Sequence, residues 1–401
     1  TDVIITELGG TVGDIESYPF IEAVRQFRWE IGEQNSLVIH LTLLPYLSAA
    51  AEIKTKPTQH SVKKLMESGL NADIIVCRTE HRLSSDLRKK IALFCNVDVK
   101  SVIESIDAKT IYDVPLLMLE EKLDKVVLKK LKIKSKTKAD LSSWKKFVYN
   151  LKNPKNEVSI GLIGKYVELQ DSYKSILESF IHAGSVNSVK VNVHPIHSES
   201  INKTNVKSLM SNLDGVLVAP GFGDRGIEGK IISIEYARVN DIPFLGICLG
   251  MQMAVIEYAR NVIGLKNANS TEMDYHTKHP VISLMEDQVN VEKKGGTMRL
   301  GSWKCEISKG TLTHDIYKKN IIKERHRHRY ELNFNYTESL TKSGMVLCGK
   351  NPETDLVEII ELPNHRWFIG VQFHPEYQLS LIHISEPTRP LYISYAVFCL
   401  K

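Results

Sequence analysis

The sequence contains no C-x-x-C pair: its six cysteines, Cys77, Cys95, Cys248, Cys305, Cys348 and Cys399, are scattered through 401 residues. That spacing argues against a zinc-ribbon site or a disulfide framework and fits a reducing compartment, so a cytoplasmic location is expected. No apolar run is long enough to cross a bilayer, and the first residues carry no signal-peptide pattern. Aromatic residues make up only 7% of the chain and do not interleave with its basic stretches. This speaks against a nucleic-acid module. The net charge of +5 is mild, and the lysines of residues 129–138, with Lys145 and Lys146, read as solvated faces. Internal repeats and low-complexity tracts are absent. What is left, at 43% hydrophobic and 25% charged, is an ordinary globular composition with length for two or three domains.

The apolar runs show the organisation. Up to residue 134, "VIITEL", "SLVIHLTLL" and "ADIIVCR" read as strands, and residues 20–31, 59–68, 86–94 and 114–131 as helices. Such alternation predicts a parallel α/β sheet. Residues 135–156, rich in Lys, Ser and Asn around Trp144, read as a linker with one short helix. A second α/β unit spans 157–378 through "VSIGLIGKY", "VKVNVHPI", "GVLVAPGFG", "PFLGICLG" and "FIGVQFHPE". These near-continuous runs predict strands covered on both faces.

Within the second unit, Gly246 and Gly250 bracket Cys248 between an apolar strand and an amphipathic helix. The pattern follows the logic of a nucleophile elbow, in which a tight turn projects the thiol and a helix start aims free N–H groups at it. Those groups favour a thiolate, and the Leu249 N–H is placed to donate to an oxyanion. His374 and Glu376 stand two apart at the end of another apolar run. On a strand they would share a face about 7 Å apart, with Glu376 holding one imidazole nitrogen and the thiol facing the other. A lone H-x-E reads as readily as a strand-end histidine beside a solvated glutamate; Cys248 in the same sheet favours a triad. "RHRHR" has the look of a polyanion patch, but Glu324 and Glu331 flank it.

Cys248, His374 and Glu376, beside "GFGDRG" and "ERHRHRYE", resemble the class I glutamine amidotransferases. The resemblance implies that the cysteine attacks the glutamine carboxamide, ammonia leaves, and water releases glutamate. The family's oxyanion strand appears here as "APGFG", with Gly221 at the carbonyl-binding position and Pro220 where a glycine is usual. Glutamine-binding positions implied are Gly221, Leu249, Gln252, Glu272 and Arg329. Glu272 suits the substrate ammonium and Arg329 its carboxylate.

"GGTVGDIES", "HLTLLPYL", "KTKPTQHSVK", "KIALFCNV", "NANSTE" and "GGTMRLG", in order from Asp2 to about Tyr377, resemble the CTP synthase family. The resemblance implies a P-loop-type amidoligase (synthetase) domain, here residues 1–134, followed by the amidotransferase domain. The implied reaction phosphorylates the 4-oxygen of UTP with ATP and Mg²⁺, after which ammonia from glutamine displaces the phosphate to give CTP. UTP and CTP positions carried over are Asp14, Glu16, Lys54, Lys56, Gln59 and Lys90, the acids lying in the site where CTP inhibits by feedback. "KTKPTQ" would otherwise read as a solvated loop. Arg78 corresponds to a position near the ATP adenine and Glu7 to a Mg²⁺ carboxylate. Arg225, Gly226 and Glu228 correspond to the loop through which GTP activates. A homotetramer, and filaments, are the implied assemblies.

Two departures stand out. The family's P-loop and a second Mg²⁺ carboxylate would precede Thr1, so the chain is expected to lack part of its ATP site; "GLIGKY" has the wrong spacing for a P-loop. The match also stops after "FHPEY", leaving residues 379–401 as an unmatched, non-native tail. The competing readings are the glutaminase domain of another synthetase and a non-catalytic filament or regulatory fragment.

Overall fold

The computed structural model describes residues 3–135, 137–169, 171–284 and 298–379. The chain forms two compact units, Thr1–Lys145 and Lys146–Lys401.

In the first unit, β1 (Ile39–Leu44), β2 (Ile74–Thr79) and β3 (Val102–Ile106) form a parallel sheet in the order β1-β2-β3. Helices α1 (Tyr18–Ile31), α2 (Lys56–Glu67), α3 (Ser85–Phe94), α4 (Val114–Glu120) and α5 (Leu123–Lys130) accompany it. The central strand β2 is buried at every residue except Arg78, as its unbroken apolar run requires. In β1 the polar residues point inward: His40 meets Ser61 Oγ at 2.9 Å, and Thr58 Oγ1 donates to Thr42 Oγ1 at 3.1 Å.

Three expectations need correction here, and one strand was not anticipated. "VIITEL" forms no strand and is exposed throughout, since it has no sheet neighbour. The helix expected over 59–68 starts earlier: α2 begins at Lys56, with Pro57 in the first turn, where its missing N–H costs nothing. The helix expected over 114–131 breaks at Lys122, which takes a left-handed φ of 61°. The unanticipated strand β3 carries Glu104 in its middle. That carboxylate is buried because it accepts from Arg82 Nη1 at 2.9 Å and from the Leu83 N–H at 2.6 Å.

After α6 (Ser142–Lys152), the second unit builds β4 (Asn156–Gly164), α7 (Lys174–Asn187), β5 (Val189–His197), α8 (Val206–Met210), β6 (Gly215–Val218), α9 (Ile227–Val239), β7 (Phe244–Ile247) and α10 (Leu249–Tyr258). A small sheet, β8 (Asn269–Ser270), β9 (Pro280–Leu284) and β12 (Tyr330–Leu332), lies apart from the main one. The main sheet also takes β10 (Arg299–Ile307), β11 (Ile321–His328), β13 (Val346–Lys350), β14 (Val357–Glu361) and β15 (Phe368–Val371). Its order is β11-β10-β13-β14-β15-β7-β6-β4-β5. The five strands from β15 to β5 are parallel, and the rest extend the sheet antiparallel.

Alternation along β6 places Val216 and Val218 in one core with α9 and α10, and Leu217 in the other with α7. Phe244 and Phe368 open the paired strands β7 and β15, with ring centroids 4.3 Å apart. Burying each ring contributes roughly 1.5–3 kcal/mol at the base of two strands whose far ends carry the site. All ten residues of α10 are buried, so it is a central helix and not the amphipathic one expected.

Strand β11 alternates strictly, so Arg325 and Arg327 face outward while His326 and His328 are buried. "RHRHR" is thus a two-faced strand, and its histidines belong to an interior polar cluster. Arg299 Nη1 pairs with Glu358 at 2.7 Å and with Glu331 at 3.4 Å, and His326 Nδ1 meets His328 Nε2 at 2.8 Å. Burial, with the charges of Arg299 and His374 adding to it, pushes His326 down to about 2 and His328 to about 3. Folded-state values below the unfolded ones mean that these histidines contribute stability above pH 6.5 that is lost as pH falls below it. Glu358, raised by burial to about 7, has the opposite sign: its contribution is present below pH 4.5 and lost as pH rises through about 7. In His328→Gln, the decline of unfolding free energy between pH 6.5 and 4.5 should be shallower by about 1.4 kcal/mol per pH unit, one proton's worth. Urea titrations at several pH values would measure it, and equal slopes in both proteins would rule out a neutral buried His328.

Candidate active site

Strand β7 runs between β6 and β15, and its ladder closes with the Cys248 N–H donating to Val371 O at 2.7 Å. The chain must then turn at once into α10. Cys248 makes the turn at φ 52° and ψ −103°, a region that non-glycine residues occupy only when their surroundings force them. The flanking glycines permit it. A Cβ on Gly246 would lie 2.7 Å from the Gly250 carbonyl carbon, and one on Gly250 would collide with the Val218 carbonyl oxygen. The Leu249 N–H heads the helix, where no intrahelical acceptor exists.

The thiol does not project into solvent as the elbow pattern predicts. It is only 3% exposed. Its sulfur lies 4.0 Å from Arg327 O and 3.7 Å from the Gln372 amide nitrogen, which donates to it.

Strand β15, parallel to β7 and in register with it, delivers the partner. It ends at Val371, so His374 and Glu376 do not share a strand face. Pro375, with no N–H to continue a ladder, opens a 3₁₀ turn over Pro375–Gln378 that folds the carboxylate back. His374 Nδ1 and Glu376 Oε1 are 2.8 Å apart, both residues are buried, and the Tyr377 ring stacks on the imidazole at 4.6 Å. The His374 N–H donates to Arg325 O at 2.8 Å, tying the turn to β11. Burial alone would push His374 down. The Cys248 and Glu376 side chains outweigh it and hold the imidazole well above its ordinary range. Among the described residues His374 Nε2 has no hydrogen-bond partner, which leaves it open to exchange a proton.

Beyond β6, the loop Ala219-Pro220-Gly221-Phe222-Gly223 faces the elbow. The Gly221 N–H meets no acceptor among the described residues, and a Cβ at Gly221 would lie 3.5 Å from Leu249 Cδ2. Glu272 Oε1 accepts from the Gly223 N–H at 2.7 Å. Glu272 and Arg329 both act on Tyr330, whose phenol is raised first by burial and then by the Glu272 charge, with Arg329 opposing. One acid and one base thus lie near the same ring. Gln252 is buried, its amide donating to Tyr330 O at 2.8 Å and to Gln372 Oε1 at 3.2 Å. Arg225 pairs with Glu199 at 2.9 Å and lies 5.3 Å from the Tyr166 ring centroid. Gly226 caps α9 at φ 72°, and Glu228 pairs with Arg260 at 2.9 Å.

In the first unit the expected nucleotide positions are mostly solvent-facing. Asp14 and Glu16 are exposed just before α1, Lys56 on α2 and Lys90 on α3. Lys54 is half-buried and pairs with Glu52. Arg78 is exposed at the end of β2, with its Nε 3.1 Å from Asp107. Gln59 differs from the expectation: it is buried, and its amide donates to Thr55 Oγ1 at 3.1 Å. Glu7 is exposed, and among the described residues no group of three or more His, Cys, Asp or Glu gathers to hold a metal. Glu7 alone does not make a cation site.

Two residues in contact with the site escaped the sequence reading. Gln372 carried a signal in standing between the apolar run and His374. Lys230, in "EGKIIS", carried one only in hindsight, as a lysine on the inward stripe of a helix.

The sequence pattern of the CTP synthase N-terminus matches residues 1–133, and that of class I glutamine amidotransferases matches residues 168–385. A CTP synthase from Christiangramia forsetii is 66% identical over 394 residues, covering 98% of this chain and 71% of the relative. One from Flavobacterium psychrophilum is 63% identical over 400 residues, covering 100% and 74%. Among solved structures, the glutaminase domain of Trypanosoma brucei CTPS with bound acivicin superposes with a TM-score of 0.55 at 37% identity, over 60% of this chain and 94% of that domain. The N-terminal match gives no support to the expectation that a segment is missing before Thr1. The expected tail begins at residue 379, and residues 380–401 lie outside those described.

Proposed function

The chain belongs to the CTP synthase family of glutamine-hydrolysing ligases, and from that premise we propose that Cys248, His374 and Glu376 release the ammonia that aminates UTP. The observation that carries this reading is geometric: the Cys248 N–H donates to Val371 O at the end of β15, and the turn that follows sets the buried His374 with Nδ1 2.8 Å from Glu376. A thiolate–imidazolium pair needs that arrangement.

The Cys248 thiolate attacks the glutamine carboxamide carbon. The oxygen that becomes an oxyanion takes the Leu249 and Gly221 N–H groups, which have no other acceptor to leave. His374 gives its Nε2 proton to the departing ammonia, and the acyl group stays on sulfur as a thioester. His374, now neutral, draws a proton from water as water attacks, and glutamate leaves. Glu376 holds the Nδ1 proton throughout, which fixes the tautomer. Arg329 takes the substrate carboxylate, and the Glu272 oxygen not spent on Gly223 takes its ammonium. Gln252 and Gln372 brace the elbow.

The family uses ATP and Mg²⁺ and responds to GTP. Within that frame Lys54, Lys56 and Lys90 serve UTP phosphates, Arg78 ATP, Asp14 and Glu16 CTP, and Arg225, Gly226 and Glu228 GTP. A homotetramer is the assembly proposed.

The test supplies UTP, ATP and Mg²⁺ with either glutamine or ammonium chloride and follows CTP and glutamate. Glutamine should support CTP formation with one glutamate released per CTP. CTP from ammonium chloride alone would refute the proposed glutaminase centre. Glutamate without CTP from either source would favour a glutaminase serving another synthetase.

A further inference from the structure

Lys230 is fully buried in α9, and among the described residues no carboxylate pairs with it. Its ammonium donates to one acceptor, the Ala219 carbonyl, at 2.7 Å. Burying an ammonium without a counter-ion costs several kcal/mol, and an apolar side chain of similar length would avoid that cost. The position therefore carries a group that the fold alone does not favour.

The placement of that group points to its use. Ala219 is the last residue on the β4 ladder, its N–H donating to Ile163 O at 2.9 Å. The N–H and C=O belong to successive peptide planes, so the Val218–Ala219 and Ala219–Pro220 peptides are both held, and Gly221 follows two residues later. A Cβ built on Gly221 would stand 4.0 Å from Lys230 Nζ and 3.5 Å from Leu249 Cδ2, so ammonium, loop and elbow meet at one point. Lys165, from the end of β4, holds the far side of the loop through Phe222 O at 2.5 Å and Gly223 O at 2.7 Å. Gly229 sets the depth of α9, since a Cβ there would overlap the Ser198 carbonyl oxygen.

We propose that Lys230 is a positioning residue for glutamine hydrolysis: its ammonium fixes the Ala219 carbonyl and thereby sets the Gly221 N–H against the Cys248 elbow. The inference rests on the reading of Cys248 as nucleophile. Burial, with the Lys165 charge beside it, lowers Lys230 to about 7, and Cys248 opposes that fall.

Lys230→Met keeps the aliphatic stem and removes the donor; Lys230→Gln keeps a donor on a shorter arm. Both are made in the full chain and assayed for glutamate release, with kcat and KM for glutamine resolved and thermal unfolding followed in parallel. Misplacing one oxyanion donor should lower kcat about 10- to 100-fold in Lys230→Met, with KM within about threefold. Its unfolding midpoint should equal or exceed wild type, and Lys230→Gln should recover kcat to within about fivefold of wild type. An unchanged kcat in Lys230→Met overturns the proposal, as does a loss matched by a fall in folded fraction. If Lys230→Met does not fold, Lys230→Gln decides, and a kcat more than tenfold below wild type overturns it. If wild type itself releases no glutamate, it is the reading of Cys248 that fails.

Discussion

Cys248→Ala should abolish glutamine hydrolysis and leave the fold in place. Losing the attacking atom removes the covalent route, so glutamate release should fall by about a thousandfold or more. Stability should change by only about 1 kcal/mol: alanine is no worse suited to φ 52° than cysteine, and one small buried atom is removed. CTP formation from ammonium chloride should persist at the wild-type rate, because the variant touches only the ammonia source. Loss of both reactions with an unchanged unfolding midpoint would show that the two chemistries are not divided as proposed.

Glu376→Gln is expected to have the next largest effect. The carboxylate is buried, 2.8 Å from His374 Nδ1, and helps hold the imidazole well above its ordinary range. Glutamine keeps the shape and removes the charge. Either face of its amide then perturbs the ring, by offering a donor to Nδ1 or by holding the proton without stabilising the imidazolium. kcat should fall by about 10² to 10⁴, with KM for glutamine moving little because Glu376 does not contact substrate. The His374 pKa should drop as well. Ring-proton NMR of wild type and variant would show it as a titration displaced to lower pH. An undisplaced titration would mean that Glu376 only fills space.

How much of this was legible in the sequence depended on whether a residue's surroundings lie nearby in the chain. Gly246, Cys248 and Gly250 act within five residues, and the strand–turn–helix elbow they describe does form, although its thiol is buried instead of projecting. The parallel core strands were legible from their apolar runs for the same reason. His374 and Glu376 were a correct pair for a partly wrong reason, since a turn enforced by Pro375, and not strand alternation, brings them together. The antiparallel half of the sheet, built from β10, β11, β13 and β14, was missed because polar residues interrupt its strands. His326, His328 and Glu358 face inward because Arg299 and one another's side chains receive them, and Glu324 because the Tyr317 hydroxyl donates to it. Gln59 misled in the opposite direction: a polar residue in a lysine-rich stretch reads as surface, yet Thr55 takes its amide inside. Lys230 was invisible because its acceptor, Ala219 O, lies on another element and nothing local marks the pairing.

The central claim is that sulfur 248 becomes acylated by glutamine. Its most direct test is acid quenching of the protein during turnover with glutamine, followed by peptide mass spectrometry. A γ-glutamyl thioester should appear on the peptide carrying Cys248 and be absent from Cys248→Ala. Steady glutamate release with an adduct on another residue, or undiminished release by Cys248→Ala, would contradict it.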